Sequence, residues 1–325
     1  MHQTATSHTL CALLAASAFT LPAASAQTYP IKPIRVLVGF APGGGTDATA
    51  RAIGAKIADR LGQQMVIDNR PGAAGNIATE IAANAAPDGY TVLLGTIAAL
   101  AVNPSLYKKL PFDPLKDLAT VTRAVDSTNI LMVHPSVAAK TVQELVTLAR
   151  AKPLNGGSSG VGGAGHLALE LFNLTAGTKI THVPYKGGGP AMLDLVSGNI
   201  NLIFATAASA VGQVKAGRIR ALAVTTAKRS ALVPELPTIA ESGFKGYEAN
   251  NWYGYLVPPK TPRAIIDRLN KELVAVMAMP DVKDFLFKQG LDVAPSTPEQ
   301  FTAYIKSEIA VWEKVIKAAG LYHSN

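Results

Sequence analysis

The chain has 325 residues, of which 48% are hydrophobic and 16% charged, with a formal net charge of +8 and one cysteine, Cys11. That composition supports a buried core and excludes a disordered tail or a disulfide-stapled miniprotein, and the length favours two domains. The 30 Lys and Arg residues are scattered, with no basic run and no aromatic-interleaved stripe; nucleic acid is therefore not expected as a partner, and the positive balance reads as an attraction for small anions.

Residues 1–26 contain no Lys, Arg, Asp or Glu, and the apolar stretch Leu10 to Pro22 ends in Ala24-Ser25-Ala26. This is the pattern of a secretory signal peptide cleaved after Ala26, and it is too short for a membrane span. Cys11 lies inside it, so the mature chain has no thiol for a disulfide, a metal site or a nucleophile.

Short apolar runs then alternate with helical patterns. Strands are expected at Ile34 to Phe40, Met65 to Asp68 and Tyr90 to Leu94, with helices at Thr46 to Leu61 and Asn76 to Ala85. After Leu110 to Pro114 comes a strand pair around Ala119 to Val125 and Ile130 to Val133. The alternation then resumes: a helix from Val142 to Ala151 opened by the capping box Thr141-x-x-Glu144, a helix from Leu167 to Thr175, and strands at Ile180 to Val183, Leu202 to Ala205 and Ile219 to Thr225. An extended aromatic-rich stretch, Gly246 to Pro258, forms a second crossing. Two helices follow, starting at Thr261-Pro262 and at the capping box Thr297-Pro298-x-Gln300. The rhythm predicts two α/β units with parallel sheets covered on both faces, the first spanning residues 27–125 and 250–325 and the second 126–249, joined by two crossing segments. In the last helix Phe301, Ile305, Ile309, Trp312, Ile316 and Ala319 mark a buried face, with Trp312 as core.

Three glycine-rich loops open helices. Phe40 to Asp47 contains Gly43, Gly44 and Gly45, which let backbone amides approach a ligand, and the free amides of a helix start favour an anion. Thr46 adds a hydroxyl, and Asp47 can cap the loop amides or orient Thr46. Asn155 to His166 supplies a second cradle with the Ser158 and Ser159 hydroxyls, facing the first across a cleft. Pro184 to Pro190 is the third, with Tyr185 expected to line the cleft and Lys186 able to face an anion.

Two other chemistries were weighed on the second loop. Gly160-x-Gly162-x-x-Gly165 fits a dinucleotide fingerprint, but its lead-in is polar and no acid follows about 20 residues on. Gly156-x-Ser158-x-Gly160 fits a nucleophile elbow, the basis of a rival secreted serine esterase, but His166 and His182 leave little chain for the intervening acid that elbow requires. No His spacing supports catalytic zinc. No metal and no cofactor is expected.

In order, Pro42 to Asp47, Asn69 to Gly72 with Gly75-Asn76, Ala86 to Tyr90, Asn103 to Tyr107, Leu110 to Pro114, His182 to Gly187, and Leu222 to Thr225 followed by Lys228 to Ser230 closely resemble the Bug-type (TctC-like) substrate-binding receptors of tripartite tricarboxylate transporters. The resemblance runs from about Tyr29 to Leu321. It implies a two-lobed periplasmic binding protein of the type II, Venus-flytrap kind: a non-enzymatic, monomeric receptor that holds a small organic carboxylate between its lobes and passes it to the membrane permease. Carried over residue by residue, it implies ligand-binding roles for Phe40, Gly43, Gly44, Gly45, Thr46, Asp47, Gly75, Thr96, Ser158, Ser159, Gly163, His166, Tyr185 and Ala205. The sequence departs from the family pattern at Thr96 to Ala99, where a hydroxyl-rich loop is usual, at Ala164-Gly165, where Ser or Thr precedes the His, and at Ala205, where Asp is common. The cleft is accordingly expected to suit a mono- or dicarboxylate with an apolar or aromatic body better than citrate or an amino acid.

Overall fold

The computed structural model describes residues 29–324. The signal peptide expected at residues 1–26 lies outside the described residues. In chain order the first part comprises β1 (Ile34–Val38), α1 (Gly45–Leu61), β2 (Met65–Asn69), α2 (Asn76–Ala83), β3 (Thr91–Thr96), α3 (Asn103–Leu106) and β4 (Ala119–Ser127). The middle part comprises β5 (Asn129–Val133), α4 (Val142–Ala151), β6 (Asn155–Ser158), α5 (Ala164–Ala176), β7 (Thr181–Pro184), α6 (Gly188–Val196), β8 (Leu202–Thr206), α7 (Ala207–Lys215) and β9 (Arg220–Val224). The chain returns through β10 (Asn251–Val257), α8 (Arg263–Met277), α9 (Pro280–Lys288), β11 (Leu291–Val293) and α10 (Pro298–Ala318).

These elements build two mixed sheets, ordered β11-β4-β10-β3-β1-β2 and β7-β6-β8-β5-β9. In each, the first strand of the unit pairs in parallel with the second and third. A strand arriving from the other unit then inserts antiparallel beside the third parallel strand: β10 between β3 and β4 in the first sheet, β5 between β8 and β9 in the second, with β11 added at the edge of the first. The two lobes thus share one topology and exchange one strand each. This is the two-lobed α/β architecture expected.

Ala119 to Val125 and Ile130 to Val133 do not form the expected pair. β4 belongs to the first sheet and β5 to the second, with Thr128 alone between them. β5 is buried throughout, whereas β4 buries Val121, Thr122, Ala124, Val125 and Ser127 and leaves Thr120, Arg123 and Asp126 half-buried. The return crossing lies directly beside the outgoing one, with Asn251 opposite Ser127 and Trp252 opposite Asp126.

The second departure concerns the lead-in to the second glycine loop. Although polar in sequence, Asn155 to Ser158 is itself β6, the strand from which α5 departs. Its glycines answer a packing demand: a β-carbon on Gly157 would come within 2.4 Å of Ile200, and one on Gly156 within 2.9 Å of Leu169. The helix α7, the helix α9 and the edge strand β11 were not anticipated.

Three apolar clusters hold the sheets. One fills the α1/α8 side of the first sheet around Val36, Ile53, Tyr255 and Leu273. Another covers the α6/α7 side of the second around Met132, Ile203 and Leu195. The third is continuous between lobes, running from Leu93, Trp252 and Phe301 to Leu131, Phe172 and Phe204. On α10, Phe301, Ile305, Trp312 and Ile316 are buried as expected, and Thr297 makes the full capping box with Gln300. At α4 Thr141 caps Glu144, but the Glu144 carboxylate accepts from Lys140 one residue further out.

Candidate functional site

The carboxyl ends of β1, β2 and β3 meet the carboxyl ends of β6 and β8 across the lobe boundary, the position at which open α/β sheets bind ligands. Four loops converge there: Phe40 to Asp47, Gly72 to Asn76, Thr96 to Asn103 and Ser158 to His166. None carries a Lys or Arg, so an anion entering would be met by backbone amides and helix dipoles. Helices α1, α2, α5, α6 and α7 start without a side-chain cap, as do α3, α8 and α9; only α4 and α10 among the described helices are capped, by threonines. Uncapped first-turn amides remain free to donate.

The first loop is rigid. α1 begins at Gly45 with Gly44 as N-cap, which makes Thr46 and Asp47 first-turn residues. Asp47 accepts from the amide of Gly43 at 3.0 Å, from Arg51 Nε at 2.9 Å and from Asn69 Nδ2 at 3.1 Å. Asn69 also donates to the carbonyl of Phe40 at 2.9 Å. Burial alone would raise the Asp47 carboxyl, but its bonds to Arg51, Gly43 and Asn69 outweigh that and hold it below the usual carboxylate range. Asp47 is therefore an ion that shapes the loop, with its oxygens already engaged. Gly43 and Gly44 are exposed at the loop crest, and Thr46 is buried.

Behind this loop, Gly75 packs against Phe40, Thr96 and Ala99. Thr96 is buried and ends β3, and a π-helical turn, Ala98–Val102, leads from it into α3. The Tyr253 hydroxyl lies under Gly45, with Asn251 Nδ2 donating to it at 3.2 Å.

On the second lobe, Ser158 and His166 turn their polar atoms into their own loop. Ser158 Oγ accepts from the Gly160 amide at 3.1 Å and lies 2.6 Å from His182 Nε2. His166 Nδ1 accepts from the Gly162 amide at 3.1 Å, its ring stacks on His182 at 3.9 Å, and Nε2 faces Glu170 at 3.6 Å. Burial lowers His166 to about 3, with a further push from His182, and burial lowers His182 to about 4. The Nδ1 acceptor role of His166 assigns the neutral Nε2–H tautomer. Ser159 is half-buried, Gly163 is the N-cap of α5, and Ala205 is half-buried near the end of β8. The Tyr185 hydroxyl donates to Asp194 on α6 at 2.6 Å, and burial together with that carboxylate pushes it up to about 12. Arg51, Asn69, His182, Asn103 and Tyr253 are the residues absent from the sequence-derived site set. Asn69, Asn103 and His182 each stood in one of the motifs, and the ends of β2 and β7 were the available signal.

A two-lobed α/β chain with glycine-rich loops at the carboxyl ends of its parallel strands has the architecture of a solute-binding protein of the periplasmic receptor class. Residues 49–321 match the tripartite tricarboxylate transporter family receptor (TctC), and the chain belongs to that family. It is 35% identical over 299 residues to Protein BugT of Bordetella pertussis, covering 91% of this chain and 92% of that one. Among solved structures it is similar to R. palustris Rpa4515 with adipate, at 38% identity, a TM-score of 0.86, and coverage of 90% of this chain and 98% of that one. It is also similar to MatC from Rhodopseudomonas palustris with bound malate, at 30% identity and TM-score 0.81, covering 89% and 100%. Among the described residues, no helix is long and apolar enough to cross a membrane.

Proposed function

We propose that this protein is a periplasmic, non-enzymatic receptor, exported by residues 1–26, that binds a small organic dicarboxylate between lobe 1 (residues 27–125 and 250–325) and lobe 2 (126–249) and delivers it as a monomer to a tripartite tricarboxylate permease. The carrying observation is that α1 and α5 each start from a glycine-rich loop without a side-chain cap, with no basic side chain on the four loops, which leaves backbone amides to meet a carboxylate. The sites proposed are Phe40, Gly43 to Asp47, Gly75 and Thr96 on lobe 1, and Ser158, Ser159, Gly163, His166, Tyr185 and Ala205 on lobe 2. Gly44 to Thr46 donate to one carboxylate, Asp47 and Asn69 hold the loop, and the α5 start receives the other end of the ligand. Ile97, Ala98, Ala99 and Ala205 suit an apolar body between the two carboxylates, in keeping with the relative that binds adipate. An aromatic body is the wider variant of the same reading. Titration calorimetry with adipate and malate tests this: saturable one-to-one binding is expected, and no heat with either acid would refute it.

One observation favours a second reading, an esterase: Ser158 Oγ and His182 Nε2 are 2.6 Å apart. Against it, Ser158 has no exposed surface, and the carboxylate near this cluster, Glu170, faces His166 and not His182. Ser158→Ala abolishes ester turnover if that reading holds, and a receptor has none to lose.

A further inference from the structure

Asn103 sits at the start of α3 with no exposed surface. Its Nδ2 donates to Asn76 Oδ1 at 2.6 Å, which turns Oδ1 the other way. That oxygen has no hydrogen-bond partner. It faces the second lobe: a β-carbon on Gly162 would lie 2.9 Å from Asn103 Oδ1, 2.9 Å from Leu106 and 3.9 Å from the Ala74 β-carbon. The contact of the Gly162 loop with lobe 1 therefore covers a carbonyl oxygen and brings no donor to it. Thr96 Oγ1, beside Gly75 on the same side of lobe 1, is also buried without a partner, but a hydroxyl can donate or accept. The amide oxygen can only accept. Covering an acceptor without a donor is costly, so lobe contact favours a ligand that supplies one.

Resting on the receptor reading above, we propose that Asn103 is a specificity-determining residue that selects a carboxylate bearing a hydroxyl group, whose O–H donates to Asn103 Oδ1 as the lobes meet. A hydroxyl fits better than an ammonium. The one carboxylate on the four loops, Asp47, is matched by Arg51, Asn69 and the Gly43 amide, which leaves an ammonium no anionic partner there. A carbonyl-bearing acid would set oxygen against oxygen. The apolar wall of Ile97 to Ala99 remains compatible with the rest of such a ligand.

The test uses two pairs of acids that differ by one hydroxyl, malate with succinate and 2-hydroxyadipate with adipate, titrated calorimetrically into the wild-type protein and Asn103→Leu. In at least one pair the wild type should prefer the hydroxy acid by about fivefold or more, the scale of one hydrogen bond to a buried acceptor. Asn103→Leu should bring that ratio close to one, whatever it does to the affinity for both acids of a pair. If the variant does not fold, the wild-type ratio decides alone. Binding without preference, a preference for the plain diacids, as an Asn76–Asn103 pair presenting its amide NH2 would give, or a preference that survives in Asn103→Leu overturns the inference and leaves the receptor reading intact. Failure of all four acids to bind overturns both.

Discussion

Asn69 donates from Nδ2 to the carbonyl of Phe40 at 2.9 Å, fastening the end of β2 to the end of β1 where the first glycine loop leaves the sheet. The same nitrogen reaches Asp47 Oδ1 at 3.1 Å, so one amide holds both ends of the loop. The geometry presented to an anion is set before the anion arrives. Asn69→Ala should weaken adipate binding about tenfold or more and lower stability by about 1–3 kcal/mol, the net worth of the two hydrogen bonds it donates. Calorimetry paired with urea unfolding separates the two effects, and a loss of stability with unchanged adipate affinity would mean that Asn69 serves the fold alone.

Two glycines of the candidate site should respond in opposite ways. Gly44 has nothing within 4 Å of an added β-carbon and an extended backbone that alanine accepts. Gly44→Ala should leave the unfolding midpoint unchanged and reduce carboxylate affinity by crowding the crest of the loop. Gly165 offers no room: a β-carbon would come within 2.4 Å of the Phe204 carbonyl oxygen, which is backbone and can yield only if α5 moves off β8. Gly165→Ala should cost about 2 kcal/mol or more in stability. Urea denaturation of both variants checks the contrast.

Ala73 and Ala74, with φ of 45° and 52°, hold left-handed backbone between Gly72 and Gly75. An alanine there costs about 1–2 kcal/mol, and a glycine adds unfolded-state entropy worth roughly half of that. Ala74→Gly should therefore stabilise the protein by roughly 0.5–1 kcal/mol, read as a higher urea midpoint at constant slope. A lower midpoint would show that the alanine methyl group contributes more than the strain removes.

The stacked histidines give a signed pH dependence. His166 and His182 are held near 3 and 4, below the ordinary value of about 6.5 that they regain on unfolding. Between those values the unfolded chain binds more protons, so stability is complete above about pH 6.5 and falls as pH drops towards 4. His182→Asn should make the loss between pH 7 and pH 5 smaller. An unchanged slope would place that acid sensitivity elsewhere. Asp47 adds to the fall lower down: its depressed carboxyl stabilises the fold above about pH 4 and ceases to do so as it is protonated.

Periodicity carried the fold where strands were apolar and helices long. Ile34 to Val38 and the α10 face from Phe301 to Ile316 announce themselves because each buries a regular stripe. It failed where another constraint chose the residues. β6 is Asn-Gly-Gly-Ser because Ile200 and Leu169 press on its backbone, and no strand pattern survives that demand. Ala119 to Val125 and Ile130 to Val133 read as a pair because they follow one another with four polar residues, Asp126 to Asn129, between them, whereas the crossing carries the chain into a second sheet. The glycine loops of the site were legible through their spacing. The clamp of Asp47 by Arg51 and Asn69, the Ser158–His182 contact and the buried oxygen of Asn103 arise between segments remote in sequence, and no local pattern encodes them.

On the proposed reading, a carboxylate held between the two lobes draws them together. Two lobes joined by a pair of adjacent strands form a hinge, and a ligand touching both favours their approach through its differential contacts. The direct measurement is small-angle X-ray scattering during a titration with adipate. The radius of gyration should fall and level off at one equivalent when the protein concentration far exceeds Kd. Saturable binding of adipate by calorimetry with an unchanged radius of gyration would contradict that reading, and would mean that the acid binds within a single lobe.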